Sequence, residues 1–156
     1  MAIDRVRKHL EKWGRGNYII ELNESIATVE LAAAALKCAP ERIAKTISLK
    51  KGETAMVVVT AGDAKISNRK FRDEFAIKAR MLPRDQTEDI IGHAAGGVCP
   101  FGLNSGIDVY MDVSLKRFET VYPACGSASS AIQLTPDELY EYSHCLKWVD
   151  VCEGWL

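Results

Sequence analysis

Little in this chain points to a metal, a disulfide or a membrane. The five cysteines (38, 99, 125, 145 and 152) are odd in number and no two stand at CxxC spacing. Neither a disulfide framework nor a zinc site is suggested, and reduced thiols in a cytoplasmic protein fit this pattern. The three histidines (9, 93 and 144) are scattered and make no ligand cluster. Apolar runs fall far short of a membrane span. Met1 to Val6 opens an amphipathic segment without the apolar core of a signal peptide. No repeat, linker or low-complexity tract interrupts the chain. A net charge of −1 provides no global field toward nucleic acid or membrane. Any polyanion must therefore meet a local patch. Aromatic residues make up 8% of the chain, and no RNA-binding motif with stacking aromatics is visible.

What is present reads as one soluble domain over residues 1–156, with 47% hydrophobic and 26% charged residues. Ile3, Val6, Leu10 and Trp13 predict a helix ended by Gly14. Tyr18–Leu22 reads as a strand. Thr28 caps an alanine-rich helix over Val29–Lys37, and Pro40 opens a helical turn. Lys45–Lys50 and Thr54–Thr60 form a hairpin through Lys51-Gly52, with Val57-Val58-Val59 apolar throughout, as in a strand covered on both faces. Ser67 caps a helix to Phe75, and Pro83 starts another running to Ile91. Further strands are expected at Lys78–Leu82, Ile107–Met111, Phe118–Tyr122, Ala131–Leu134 and Trp148–Cys152. Thr135-Pro136-Asp137-Glu138 opens a last helix with cap, proline and early acids in order. The fold class expected is α/β (α+β), a mixed, barrel-like sheet surrounded by helices.

Three features bear on chemistry. Gly92 to Leu103 holds four glycines and Pro100 in twelve residues. Glycine admits positive φ and close approach to bare N–H groups, and Pro100 drives Cys99 out of the α region. Such a loop can bind an anion or a developing oxyanion, or be a rigid surface turn. Lys45 shares a strand face with Ile47 and Leu49, and lysine is rarely buried unpaired. It either holds a phosphate or carbonyl at the edge of a pocket or snorkels at a strand end. Cys99 is a nucleophile with His93 as base, or a thiol lining a pocket. Finally, residues 65–84 carry seven basic residues against two acids, either a solvated face or a docking surface for a polyphosphate chain.

Three blocks together resemble the YbaK/ProX family of aminoacyl-tRNA editing domains, associated with prolyl-tRNA synthetase. They are Thr28–Ala33 with Arg42-Ile43-Ala44-Lys45-Thr46; Gly92-His93 with Gly96-Gly97-Val98-Cys99-Pro100-Phe101-Gly102, like the family's GxxxP loop; and Gly126–Leu134 with the helix after it. The resemblance implies hydrolysis of the ester joining a wrong amino acid to the 3′ end of tRNA, by a free-standing trans-editing enzyme. It implies aminoacyl-tRNA as substrate, an aminoacyl-tRNA synthetase as a further partner, and no metal or organic cofactor. Lys45 matches the family's essential lysine. Thr46, Gly96, Gly97, Val98, Cys99, Pro100, Gly126 and Ser127 fall where the substrate is bound. Cysteinyl-tRNA deacylases of this family carry a serine and an aspartate where this chain has Ala124 and Ala131, which sets cysteine specificity aside. A non-catalytic tRNA- or protein-binding module of the same fold is the alternative.

Overall fold

The computed structural model describes residues 2–155. The chain begins with α1 (Ala2–Leu10), whose Val6 and Leu10 are completely buried, and tightens into a 3₁₀ turn that ends at Gly14. The stretch expected as a strand at Tyr18–Leu22 is split. Gly16–Tyr18 is a 3₁₀ turn, and the paired strand is reduced to β1 (Ile20–Glu21). Then come α2 (Val29–Leu36), β2 (Ile43–Lys51), β3 (Thr54–Ala61), β4 (Lys65–Ile66), α3 (Asn68–Phe75) and α4 (Arg84–Ile91). The second half supplies β5 (Asp108–Asp112), β6 (Tyr122–Pro123), β7 (Ser130–Ala131), α5 (Pro136–Tyr142), β8 (Trp148–Val149) and β9 (Cys152–Glu153).

Helix starts follow local chemistry. Thr28 Oγ1 accepts from Leu31 N at 3.2 Å and Ser67 Oγ from Lys70 N at 3.3 Å. At α5 the cap is reciprocal: Thr135 Oγ1 accepts from Glu138 N at 3.1 Å, and Glu138 Oε1 accepts from Thr135 N at 2.9 Å.

Five strands form a mixed sheet in the order β6-β2-β3-β5-β8. The β2–β3 hairpin is antiparallel, with Lys45 opposite Thr60; the β2–β6, β3–β5 and β5–β8 pairs are parallel. Single bridges Val121–Leu134 and Ala124–Ala131 carry the pairing from β6 to β7, which pairs in turn with β1. The sheet thus curls over one edge with helices around it, the mixed α+β arrangement expected. Val57, Val58 and Val59 are fully buried, as befits a strand covered on both faces.

Several expected strands are shorter than the sequence pattern suggests. Lys78–Leu82 is extended but touches β2 through one bridge, Leu49–Met81, with Lys50 N donating to Arg80 O and Leu82 N to Ser48 O. Phe118–Tyr122 begins extended pairing only at Val121. Ala131–Leu134 is reduced to β7 at one end and a single bridge at Leu134. Trp148–Cys152 is broken in two, β8 pairing with β5 and β9 with β4. The break sits over Asp112, a fully buried carboxylate that accepts from Ser114 N and Val151 N, both at 2.9 Å. Satisfying those buried N–H groups takes Val151 out of the ladder.

Candidate functional site

The third residue of β2 is Lys45, and the strand carries it to the rim of a cavity of about 320 Å³. One wall is β2 itself. Opposite lies α2 with its lead-in, through Ala27, Thr28, Val29 and Ala32. Small residues let that helix approach: Ala32 and Ala33 are buried with Ile26, Ile43 and Ala131 in a secondary apolar cluster. The ends are closed by Met81, Leu82 and Arg84 on one side, and by the glycine loop at Ala95, Gly96 and Val98 on another.

Lys45 is half-buried, and its Nζ lies 3.5 Å from the carbonyl oxygen of Gly62, to which it donates. Burial pushes its pKa below the ordinary lysine value, opposed mainly by nearby Cys152 and Asp63. The Gly62 turn is fixed on both sides. A side chain at Gly62 would meet Pro40 O at 2.0 Å, and Asp63 is held by Arg117 through two hydrogen bonds of 2.9 and 2.5 Å. The lysine thus projects from a rigid strand toward a rigid turn.

The structure gathers some of the expected site residues and scatters others. Lys45, Thr46, Gly96 and Val98 all line the cavity, as do Ala124 and Ala131, the two alanines that replace polar groups in the resemblance. Those alanines also bridge one another. Gly97 lies behind this surface, against Ser127: a Cβ at Gly97 would come within 2.9 Å of Ser127 Cα. Gly126 turns at φ +91 against α1, where an added Cβ would meet Val6 Cγ2 at 2.9 Å. Ser127 Oγ is 2.7 Å from Ser130 Oγ. Pro100 is buried beside Cys99 and Phe101. Gly97, Pro100, Gly126 and Ser127 therefore shape and brace the loops; none is among the residues bounding the cavity.

Cys99 is the clearest correction. It is fully buried in the main core, and not on the cavity wall. Burial pushes its thiol up to about 12. Its Sγ is 3.5 Å from His93 Nε2 and 3.6 Å from Phe101 O. His93 is also fully buried, with Nε2 only 2.7 Å from Phe101 O. Since a carbonyl only accepts, that nitrogen carries the proton and has no lone pair for the thiol. A neutral, inaccessible thiol beside an imidazole with its near nitrogen occupied is a packing unit, not a nucleophile–base pair.

Of the basic run, only Arg84 reaches the cavity wall, while Lys70 is tied to Asp150 and Cys152 O. Nothing in the sequence pattern signalled the roles of Met81 and Tyr122 in the wall. Both belong to extended segments that reach β2 only through tertiary pairing. Among the described residues no group of three or more potential ligands is placed to hold a metal, and no helix is long and apolar enough to cross a membrane.

Comparison with known proteins agrees with this fold. The chain is 50% identical over 156 residues to "Uncharacterized protein YwhH" of Bacillus subtilis (strain 168), covering 99% of each. A solved structure of a "putative trans-editing enzyme for prolyl tRNA synthetase" superposes with a TM-score of 0.87 at 26% identity, over 98% of both chains. "Hypothetical protein APE2540" shares the fold, at a TM-score of 0.81 and 23% identity, over 93% of this chain and 99% of that one. Residues 23–142 match the family model of the aminoacyl-tRNA editing domain, and the chain belongs to that family.

Proposed function

We propose that this protein is a trans-acting hydrolase that removes a mischarged amino acid from the 3′ end of tRNA. The observation that carries the proposal is the convergence of Lys45 with Gly96 and Val98 on one apolar cavity. A cation and a strip of loop main chain face a space that accepts an acyl group. An aminoacyl ester is already activated, so positioning it, admitting water and stabilising the oxyanion suffice for hydrolysis. Water oxygen adds to the acyl carbon, the carbon–oxygen ester bond breaks, and the ribose oxygen leaves with a proton. Lys45 holds the terminal nucleotide and carbonyl region, and the loop main chain faces the developing negative charge. The water is activated by the vicinal ribose hydroxyl, since no carboxylate or histidine lies on the described cavity wall. The likeness to a solved structure described as a putative trans-editing enzyme for prolyl tRNA synthetase supports an enzyme that acts in trans, alone or beside a synthetase.

Deacylation of a panel of mischarged tRNAs by wild type, Lys45→Ala and Cys99→Ala tests this. Turnover of at least one aminoacyl-tRNA, lost with Lys45→Ala and kept with Cys99→Ala, is the expected result. Loss with Cys99→Ala, at retained fold, favours a thiol esterase. Tight binding with no turnover of any aminoacyl-tRNA favours a non-catalytic module.

A further inference from the structure

The outer edge of β2 is paired at both ends and open in the middle. At one end Ile43 and Ala44 pair with Tyr122 and Pro123. At the other, Ser48 O accepts from Leu82 N at 3.0 Å and Lys50 N donates to Arg80 O at 2.8 Å. Along a strand, alternate residues turn their N–H and C=O toward the same neighbour. Ser48 and Lys50 face this edge, so Thr46 does too. Yet no strand or bridge lies opposite Thr46 on this side among the described residues, because the chain leaves β6 for Ala124, which bridges Ala131. The opening lies on the cavity, bounded by Met81 and Leu82 on one flank and Tyr122 and Ala124 on the other.

A second observation falls on the same residue. Thr46 Oγ1 is buried and has no hydrogen-bond partner among the described residues. Buried hydroxyls are paired as a rule. Thr46 thus has one main-chain donor and one main-chain acceptor facing the opening, with a buried hydroxyl on its side chain that is unpartnered among the described residues.

We propose that the aminoacyl group of the substrate fills this opening as a one-residue β-bridge to Thr46. Resting on the deacylase reading, this names how that enzyme recognises its substrate class. In an antiparallel hydrogen-bonded pair, each residue gives its N–H to the other's C=O. An aminoacyl ester has the same two groups, an α-amino donor and a carbonyl acceptor, on adjacent atoms. Thr46 O accepts from the α-amino group, and Thr46 N–H donates to the acyl oxygen, where negative charge grows during hydrolysis. The described wall has two cations, Lys45 and Arg84, and no carboxylate. The amine is therefore read by a neutral carbonyl, in its uncharged form, which α-amino groups reach near neutral pH. Paired residues also place their side chains on the same face, with Cβ atoms about 4.5–5.5 Å apart. Thr46 Oγ1 thereby neighbours the substrate's own side chain. The class expected is α-amino acyl esters, in preference to acyl esters that carry no donor on the α-carbon, such as deamino or N,N-dialkylated ones.

The test uses two non-hydrolysable probes, 3′-alanylamino-3′-deoxyadenosine and its propanoyl counterpart, titrated into the ¹⁵N-labelled protein. The alanyl probe is expected to shift the Thr46 amide resonance and slow its hydrogen exchange. The propanoyl probe, with hydrogen in place of the amine, leaves Thr46 O without its donor and is expected to bind about tenfold more weakly. Thr46→Val keeps the main chain, so it should retain that alanyl-over-propanoyl ratio. Equal affinity for the two probes, an unmoved Thr46 amide, or no binding of either overturns the bridge. Binding with the expected ratio but no turnover of aminoacyl-tRNA upholds the bridge and overturns the deacylase reading instead.

Discussion

Replacing Gly97 by alanine isolates the contact between the two loops behind the cavity. A Cβ added at Gly97 would stand 2.9 Å from Ser127 Cα, 3.0 Å from its carbonyl carbon and 3.1 Å from its nitrogen. All three are main-chain atoms, so no rotamer change relieves the overlap. Carbon atoms rest about 3.5–4.0 Å apart, so the loops must separate by roughly 0.6 Å or more. Forcing a methyl group into packed surroundings costs about 1–3 kcal/mol. The neighbouring Gly96 and Val98 line the cavity, and displacement of a positioning element by about 1 Å can cost on the order of 100-fold in rate. Gly97→Ala should therefore lower deacylation kcat/KM by up to about 100-fold at a stability cost of about 1–3 kcal/mol. Gly106→Ala is the control: it stands at φ +85 with nothing within 4 Å of an added Cβ. It carries only the backbone strain of the left-handed region, about 1–2 kcal/mol, and should leave deacylation unchanged. Denaturant unfolding and single-turnover deacylation of both variants give the two readouts. Full activity in Gly97→Ala, or equal activity losses in the two variants, would mean that the contact behind the cavity does not position its wall.

Three other outcomes follow from the same geometry. Burial lowers the pKa of Lys45, while Cys152 and Asp63 raise it; if the ammonium is the working form, the alkaline limb of deacylation falls below the ordinary lysine range. Asp63→Asn removes a nearby negative charge and should move that limb to still lower pH, whereas a limb unmoved by the change would separate Lys45 from the profile. Native Cys99 should resist iodoacetamide, since it is fully buried with its thiol pushed up to about 12; mass spectrometry showing rapid alkylation at Cys99 in the folded protein contradicts its placement. A tRNA ending in a ribose without the vicinal hydroxyl should bind but be hydrolysed at least about 100-fold more slowly, and undiminished hydrolysis would assign water activation to the protein.

Local chemistry made much of the fold legible. Thr28, Ser67 and Thr135 announce helices because a side-chain oxygen satisfies a free N–H within three residues, a decision made without distant partners. The β2–β3 hairpin and the buried valines of β3 could be read for the same kind of reason, an apolar run beside a tight turn. The elements that misled were those whose extended state depends on something far away. Tyr18–Leu22 has strand-like residues but meets a short partner: Ile20 pairs with Ala131, Glu21 with Ser130, and Leu22 N donates to Ser129 O. Trp148–Cys152 has a largely apolar pattern, yet the Asp112 carboxylate, some forty positions earlier, captures Val151 N and divides it.

The candidate site divides along the same line. A lysine on a strand and a glycine-rich, proline-ended loop with exposed main chain were readable from the residues alone, because backbone torsions and side-chain alternation are properties of neighbours in the chain. Which loop residues face the cavity was not readable in that way. Folding set Gly96 and Val98 on the cavity wall, packed Gly97 onto Ser127 and sealed Cys99 in the core, because those outcomes depend on close packing between segments remote in sequence. The open edge at Thr46 belongs to that second kind, since an unpaired strand position exists only by virtue of where its neighbours stop.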